Sequence, residues 1–234
     1  MSIAENLEKI EARVQRACER AGRDRDSVTI VGVSKKHPAA AIREALETTG
    51  LRHFGENYVQ EYLEKRNELG ACPGAEFHLI GHLQRNKVRT LLAYPPDLIH
   101  SLDSLSLAQT LERVMAEMHP DKKLPLLVEL RLGDEGTEKT GLDPAELPQM
   151  AELLDQCPHL IWQGLMVIPP IGESAEDSRP YFRQTRELMD GLNDQRTRKL
   201  TVLSYGMSDD FEVAIEEGAT HVRIGTAIFG KRVV

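Results

Sequence analysis

VTIVGVSK (28–35) is an apolar, β-branched run that stops at a lysine. PAAAIREALETTG (38–50), which follows it, is patterned as a helix, with Ile42 and Leu46 on one face and Gly50 placed as a C-terminal cap. This strand-then-helix pairing recurs along the chain. The further strand-like runs are HFGEN (53–57), EFHLIG (76–81), LIHSLD (98–103), PLLVELRL (125–132), LIWQGLMVI (160–168), KLTVLSYG (199–206) and HVRIG (221–225), starting 22 to 39 residues apart. A strand, a helix and two loops of ordinary length occupy roughly 25–30 residues, so eight such units fill the chain. SLAQTLERVMAEMHP (106–120) carries Leu107, Leu111, Val114, Met115 and Met118 at core-facing helical spacing and closes at Pro120. DPAELPQMAELLDQCP (143–158) opens with Asp143 as N-cap and Pro144 at the first helical position. ENLEKIEARVQRACERAG (5–22) adds a helix ahead of the first strand. Several strands are near-continuous apolar runs, as in a parallel sheet covered by helices. The pattern predicts an α/β fold, a single (β/α)8 TIM barrel with an extra N-terminal helix, spanning 1–234 as one domain. A doubly wound open sheet is the alternative, because closure leaves no local mark in a sequence.

Composition narrows the function class. The 234 residues carry 29 Lys+Arg against 37 Asp+Glu, a net charge of −8, which argues against a general nucleic-acid binder. A chain 41% hydrophobic and 28% charged is globular rather than disordered. Cys18, Cys72 and Cys157 stand at no metal-ligand spacing and read as free thiols in a reducing cytoplasm. The amphipathic start MSIAENLEKIEARV is unlike a signal peptide, and no run approaches the roughly 18 apolar residues of a membrane span. The polar outer faces of the helices favour a monomer.

In a barrel of this type, reactive side chains lie at the C-terminal ends of strands and in the loops that follow. Those positions hold Ser34-Lys35-Lys36, Gly55-Glu56-Asn57-Tyr58, Gly81-His82-Leu83-Gln84, Met166, Ser204-Tyr205-Gly206-Met207-Ser208-Asp209-Asp210 and Arg223-Ile224-Gly225-Thr226. The loops after strands seven and eight are where such barrels tend to bind phosphate. There Gly206, Ser208, Gly225 and Thr226 let backbone N–H groups approach an anion, and the Ser204, Ser208 and Thr226 hydroxyls add donors. Each glycine taken singly reads better as a turn residue, and it is the two such loops together that support an anion site. Lys35 ends an apolar strand at the barrel mouth, where desolvation would favour the neutral amine that attacks a carbonyl. The bland alternative is a solvated lysine at a strand end. A phosphate loop facing a lysine describes a phosphorylated aldehyde held at both ends.

VGVSK, HFGENYVQE, FHLIGHLQRNK, GLMVIP, SYGMSDD and VRIGTAIFG run in order across almost the whole chain. Together they resemble the pyridoxal phosphate homeostasis protein family, whose barrel is of the alanine racemase N-terminal, fold-type III kind. The resemblance implies pyridoxal 5′-phosphate (PLP) as cofactor, bound to Lys35 rather than Lys36 as an internal aldimine. It places Arg223 at the pyridine nitrogen, where a cationic donor keeps the ring a weak electron sink. It also implies that Ser204, Gly206, Met207, Ser208, Gly225 and Thr226 hold the phosphate, while Asn57 and Met166 flank the ring. The implied role is a carrier that buffers the cofactor, with apo PLP enzymes as possible recipients. Tyr205 departs from the smaller apolar residue expected there, and the motif Glu138-Lys139-Thr140-Gly141 leaves a cofactor role for Lys139 open.

Two enzymatic readings compete. A PLP-dependent amino-acid racemase shares this barrel but needs a second base opposite Lys35. In alanine racemases that base comes from a tyrosine in an additional C-terminal domain, and none is expected here. Tyr58 and Tyr205 are the tyrosines placed near the mouth, and neither has an obvious orienting partner. A Schiff-base aldolase would carry its lysine on a later strand. His53, His78 and His82 invite a metal reading, but without convergent acidic or thiol partners they read as packing or hydrogen-bonding residues, so no metal is expected. Asp209-Asp210 are explained by the dipole of the helix they open.

Overall fold

The computed structural model describes residues 2–133 and 140–230. Its strands are β1 (Thr29–Val33), β2 (His53–Glu56), β3 (Glu76–Leu79), β4 (Leu98–Leu102), β5 (Leu124–Leu130), β6 (Leu160–Val167), β7 (Val202–Ser204) and β8 (His221–Ile224). They pair in chain order, every neighbour is parallel, and β8 returns to β1 in the register Thr29↔His221, so the sheet is a closed barrel. The open-sheet alternative is thereby set aside.

Ahead of the barrel lies α1 (Ile3–Arg20). The others are α2 (Ala39–Thr48), α3 (Val59–Leu69), α4 (Val88–Leu91), α5 (Leu105–Met118), α6 (Leu147–Asp155), α7 (Arg179–Gln195), α8 (Phe211–Glu216) and α9 (Thr226–Phe229). Local chemistry sets several of their starts. Ser2 and Glu5 form a reciprocal capping box on α1, and Ser104 caps α5. Asp143 caps the short 3-10 turn Pro144–Glu146 that leads into α6. Gly50 does not cap α2: the helix ends at Thr49, with φ −137°, and Thr49 bonds back to Ala45 through both N–H and hydroxyl.

Side chains alternate across each strand, which separates two apolar layers. Ile30, Phe54, Phe77, Ile99, Leu126, Leu165, Leu203 and Val222 face outward into the main core with Val14, Ile42, Tyr62, Leu111, Met150, Phe182 and Ile215 of the helices. Leu98, Leu127, Met166 and Val202 form a second, interior cluster. Lys35, two residues past Val33 on β1, and Arg223 on β8 are therefore carried by adjacent strands at the barrel's C-terminal mouth. Among the described residues no helix is long and apolar enough to cross a membrane.

Candidate functional site

The backbone that carries Lys35 is held from beneath by a buried ion network. The Nζ of Lys65 lies 2.7 Å from the Ser34 carbonyl oxygen, 2.6 Å from Glu56 Oε1 and 2.8 Å from Glu61 Oε1. The Ser34 hydroxyl also donates to Glu56 Oε1, and the Lys36 N–H donates to Glu61 Oε1. Burial pushes the Glu56 carboxyl above its ordinary value, and the Lys65 ammonium opposes that rise. Lys36 adopts φ 62°, a left-handed conformation uncommon for a residue with a Cβ. The chain therefore turns sharply just after Lys35. Lys35 lines the mouth cavity, whereas Lys36 is exposed.

That cavity holds about 240 Å³, room for one small ring and its substituents. Across from Lys35 its wall is built from two tight loops. Gly206 has φ 91°, and a Cβ there would stand 2.5 Å from that of Ala214, so β7 can turn into the next loop only at a glycine. Asp210 then ties the loop: Oδ1 accepts from the Met207 N–H and Oδ2 from the Ser178 hydroxyl, at 2.6 and 2.9 Å. This presents Met207, Ser208 and the exposed Asp209 to the cavity. Gly225 and Thr226 open α9 beside them and also line it.

Arg223 closes the cavity floor. It is buried, and Nη1 donates to both the Ser204 carbonyl and hydroxyl oxygens, at 2.8 and 2.7 Å, while Nη2 donates to the Val167 carbonyl at 3.2 Å. Burial pushes its pKa down to about 10, with Glu129 and Asp210 opposing, so the guanidinium is charged at neutral pH. Asn57 stands at the end of β2, and its Oδ1 is a buried acceptor without a hydrogen-bond partner. Gly81 makes that position possible, because a Cβ there would lie 2.3 Å from the Asn57 carbonyl oxygen.

Of the residues predicted for the site, Lys35, Asn57, Met207, Ser208, Arg223, Gly225 and Thr226 surround this one cavity. Ser204 lies below it, its hydroxyl engaged by Arg223 and by His100 Nδ1 at 2.8 Å. Gly206 shapes the loop, and its carbonyl accepts the Arg223 N–H. Met166 sits deeper, in the interior apolar cluster, and Ile168, two residues on, reaches the cavity instead. Val33, His37 and Ile80 also line it and were not singled out from sequence, and Asp209, read there only as an acid opening a helix, lines it as well. Val33 and Ile80 were accessible by strand parity, being two residues from Lys35 and His82. Glu138 and Lys139 lie outside the described residues, whereas Thr140 donates to the buried Glu129 at 3.1 Å.

Two expectations are corrected. Tyr205 does not face the mouth: it is fully buried against α7, stacked on Phe182 with centroids 4.7 Å apart, and its hydroxyl donates to the Glu217 carbonyl at 2.9 Å. Ser204 and Gly206 take the inward parity, so the residue between them points outward. The histidines do have an acidic neighbour. Glu76 Oε2 lies 3.3 Å from His53 Nδ1 and 3.8 Å from His78 Nε2, and the three ligating atoms fall within 4.8 Å of one another. The same nitrogens face each other across 3.3 Å, in hydrogen-bonding contact. His82 is apart from them, 2.7 Å from Asp103.

Comparison with known proteins agrees with this fold. The family model described as alanine racemase, N-terminal domain, matches residues 6–233. The pyridoxal phosphate homeostasis protein of Aquifex aeolicus is 44% identical over 232 residues, covering 99% of each chain. That of Pseudomonas aeruginosa is 46% identical over 233 residues, covering 99% of this chain and 96% of its own. Among solved structures, PipY of Synechococcus elongatus with PLP bound superposes with a TM-score of 0.84 at 40% identity, covering 98% of this chain and all of PipY. An alanine racemase of Clostridium difficile matches at a TM-score of 0.72 but 16% identity, and only 56% of that chain is covered, so it shares the fold.

Proposed function

Because the chain belongs to the pyridoxal phosphate homeostasis protein family, within the alanine racemase N-terminal domain family, we propose that it binds PLP and buffers or carries it for apo PLP enzymes. The observation that carries this reading is one cavity bounded by the Lys35 amine, the Arg223 guanidinium and two loops rich in hydroxyl and backbone donors. When bound, the cofactor supplies an aldehyde that condenses reversibly with the Lys35 amine and releases water.

The residues present fit such a molecule. The Asn57 Oδ1 is a buried acceptor without a protein partner, which a hydrogen-bond donor on a bound ring would satisfy. Ser208, Gly225 and Thr226 offer hydroxyl and backbone donors to a phosphate, and the start of α9 leaves its first N–H groups without intrahelical acceptors. Asp209 stands beside them, so the favourable field for an anion comes from Lys35, Arg223 and oriented N–H groups rather than from the net charge. Arg223 can only donate, and it faces the cavity as a fixed cation. Facing a ring nitrogen, Arg223 would donate a hydrogen bond rather than accept a proton, which would keep the ring a weak electron sink and suit storage over turnover.

We read the whole chain as one such unit, acting as a monomer in the cytoplasm. The free cysteines, with Cys18 and Cys157 buried, support a reducing compartment. The racemase alternative gains nothing at Tyr205, whose hydroxyl is spent outside the barrel. Adding PLP to cofactor-free protein tests the reading: a shift of the cofactor absorbance that saturates at one equivalent is expected, and an unchanged spectrum contradicts it.

A further inference from the structure

Beneath Arg223 the barrel interior holds an unbroken line of polar contacts that reaches the opposite end of the sheet. Arg223 Nη1 stands 2.7 Å from Ser204 Oγ, and Ser204 Oγ stands 2.8 Å from His100 Nδ1. His100 Nε2 is 2.9 Å from His78 Nδ1, and His78 Nε2 is 3.3 Å from His53 Nδ1, beside Glu76. Ser204, His78 and His100 are almost wholly buried, and the ring of His221 packs 6.2–6.5 Å from those of His53, His78 and His100. A polar line of this length inside a core persists only when each member is satisfied.

Donor bookkeeping gives the line a direction. A guanidinium has no acceptor, so Arg223 donates to Ser204 Oγ. The buried Ser204 hydroxyl hydrogen then has His100 Nδ1 as its acceptor. A neutral imidazole carries one proton, so that of His100 sits on Nε2 and is donated to His78 Nδ1. The proton of His78 in turn sits on Nε2 and points at His53 Nδ1 and the Glu76 carboxylate. The reverse assignment would make Ser204 accept twice and leave its own buried hydrogen without an acceptor. A charged His100 is disfavoured by burial first, then by His78, His221 and Arg223, so His100 is the neutral, single-proton ring in this line.

We propose that His100, acting through Ser204, is a positioning residue that fixes the Arg223 guanidinium as a donor aimed into the cofactor cavity, and that His78 extends the line as one further donor, its Nε2–H directed at His53 Nδ1 beside Glu76. The contacts of Nη1 with Ser204 and of Nη2 with the Val167 carbonyl hold the guanidinium plane on one side. The remaining N–H groups are then presented to the cavity that Arg223 lines. His100 touches nothing in that cavity. It acts by orienting the hydroxyl against which Arg223 rests.

The functional consequence rests on the PLP reading, but the arrangement itself is tested without the cofactor. In cofactor-free protein labelled with 15N-histidine, two-bond proton–nitrogen correlations identify the ring nitrogen that carries each proton. Nε2–H at both His100 and His78 near pH 7 is expected, and Ser204→Ala should release the single tautomer at His100. Nδ1–H at His100 in the wild type overturns the proposal. In PLP-loaded protein, His100→Leu should shift the absorbance of the bound cofactor and weaken uptake about five- to tenfold, the scale of one lost hydrogen bond. His100→Gln, which can both accept and donate, should restore wild-type behaviour. Equal spectra in all three proteins also overturn the proposal. Failure of the wild type to take up PLP would instead contradict the cofactor reading and leave the tautomer measurement to decide this one.

Discussion

Lys65 Nζ lies 2.7 Å from the carbonyl oxygen of Ser34, the residue before Lys35, so a buried ammonium on α3 holds the backbone of the proposed cofactor lysine. The same ammonium neutralises Glu56, which is almost fully buried. Removing one member of a buried pair strands the other and costs about 3–5 kcal/mol. Lys65→Met should therefore lower stability by that order in denaturant unfolding, and Lys65→Met/Glu56→Gln should recover much of the loss. A double variant no more stable than the single one would show that the charge pair is not what holds this turn.

Glu129 gives the fold a pH signature. Burial, opposed by the Thr140 hydroxyl, pushes its carboxyl from an ordinary 4.5 up to about 7. With the folded pKa raised, the stabilising contribution is fully present below about pH 4.5 and is lost as pH rises through 7. Glu129→Gln cannot ionise. Its stability relative to wild type should therefore grow by about 2–3 kcal/mol between pH 5 and pH 8, measured by denaturant unfolding. A gap independent of pH would mean that Glu129 is ionised throughout.

The sequence made the architecture legible because eight apolar runs and the helices between them repeat at a regular interval. It also made most of the cavity legible, since Lys35, Asn57, Arg223 and the loops after β7 and β8 sit at strand ends. What it missed were contacts across the barrel. Lys65 meets Ser34 over 31 positions and His100 meets Ser204 over 104, with no local pattern to announce either. The outward turn of Tyr205 was available from its parity with Ser204. Cavity depth was not: whether Met166 or Ile168 reaches the mouth depends on how far β6 rises, and composition carries no trace of that. Gly50 looked like a cap, but the hydroxyl of Thr49 supplied the helix-ending contact one residue earlier.

Arg223 faces the cavity as a donor, so reversing its charge should alter a bound cofactor more than it alters the fold's outline. Arg223→Glu places a carboxyl beside the Ser204 hydroxyl and the Val167 carbonyl oxygen, where it can accept from a protonated ring nitrogen. The absorbance of bound PLP should shift relative to wild type in a variant that still takes it up. An identical spectrum would show that Arg223 does not meet the ring.

A carrier delivers and an enzyme turns over. Loaded protein mixed with an apo PLP enzyme should restore that enzyme's activity with kinetics that differ from those of an equal amount of free PLP. Incubation with single-enantiomer alanine, followed by chiral chromatography, should show no appreciable racemisation. Rapid loss of enantiomeric purity would favour the racemase reading.

The central claim is that Lys35, and not the neighbouring Lys36, joins the cofactor. Reducing the PLP-loaded protein with borohydride fixes the label on whichever amine holds it, and peptide mass mapping then locates it. The account predicts loss of the cofactor absorbance and a single phosphopyridoxyl label on Lys35, absent from Lys35→Ala and retained in Lys36→Ala. A label on Lys36, or none on either lysine, would contradict it.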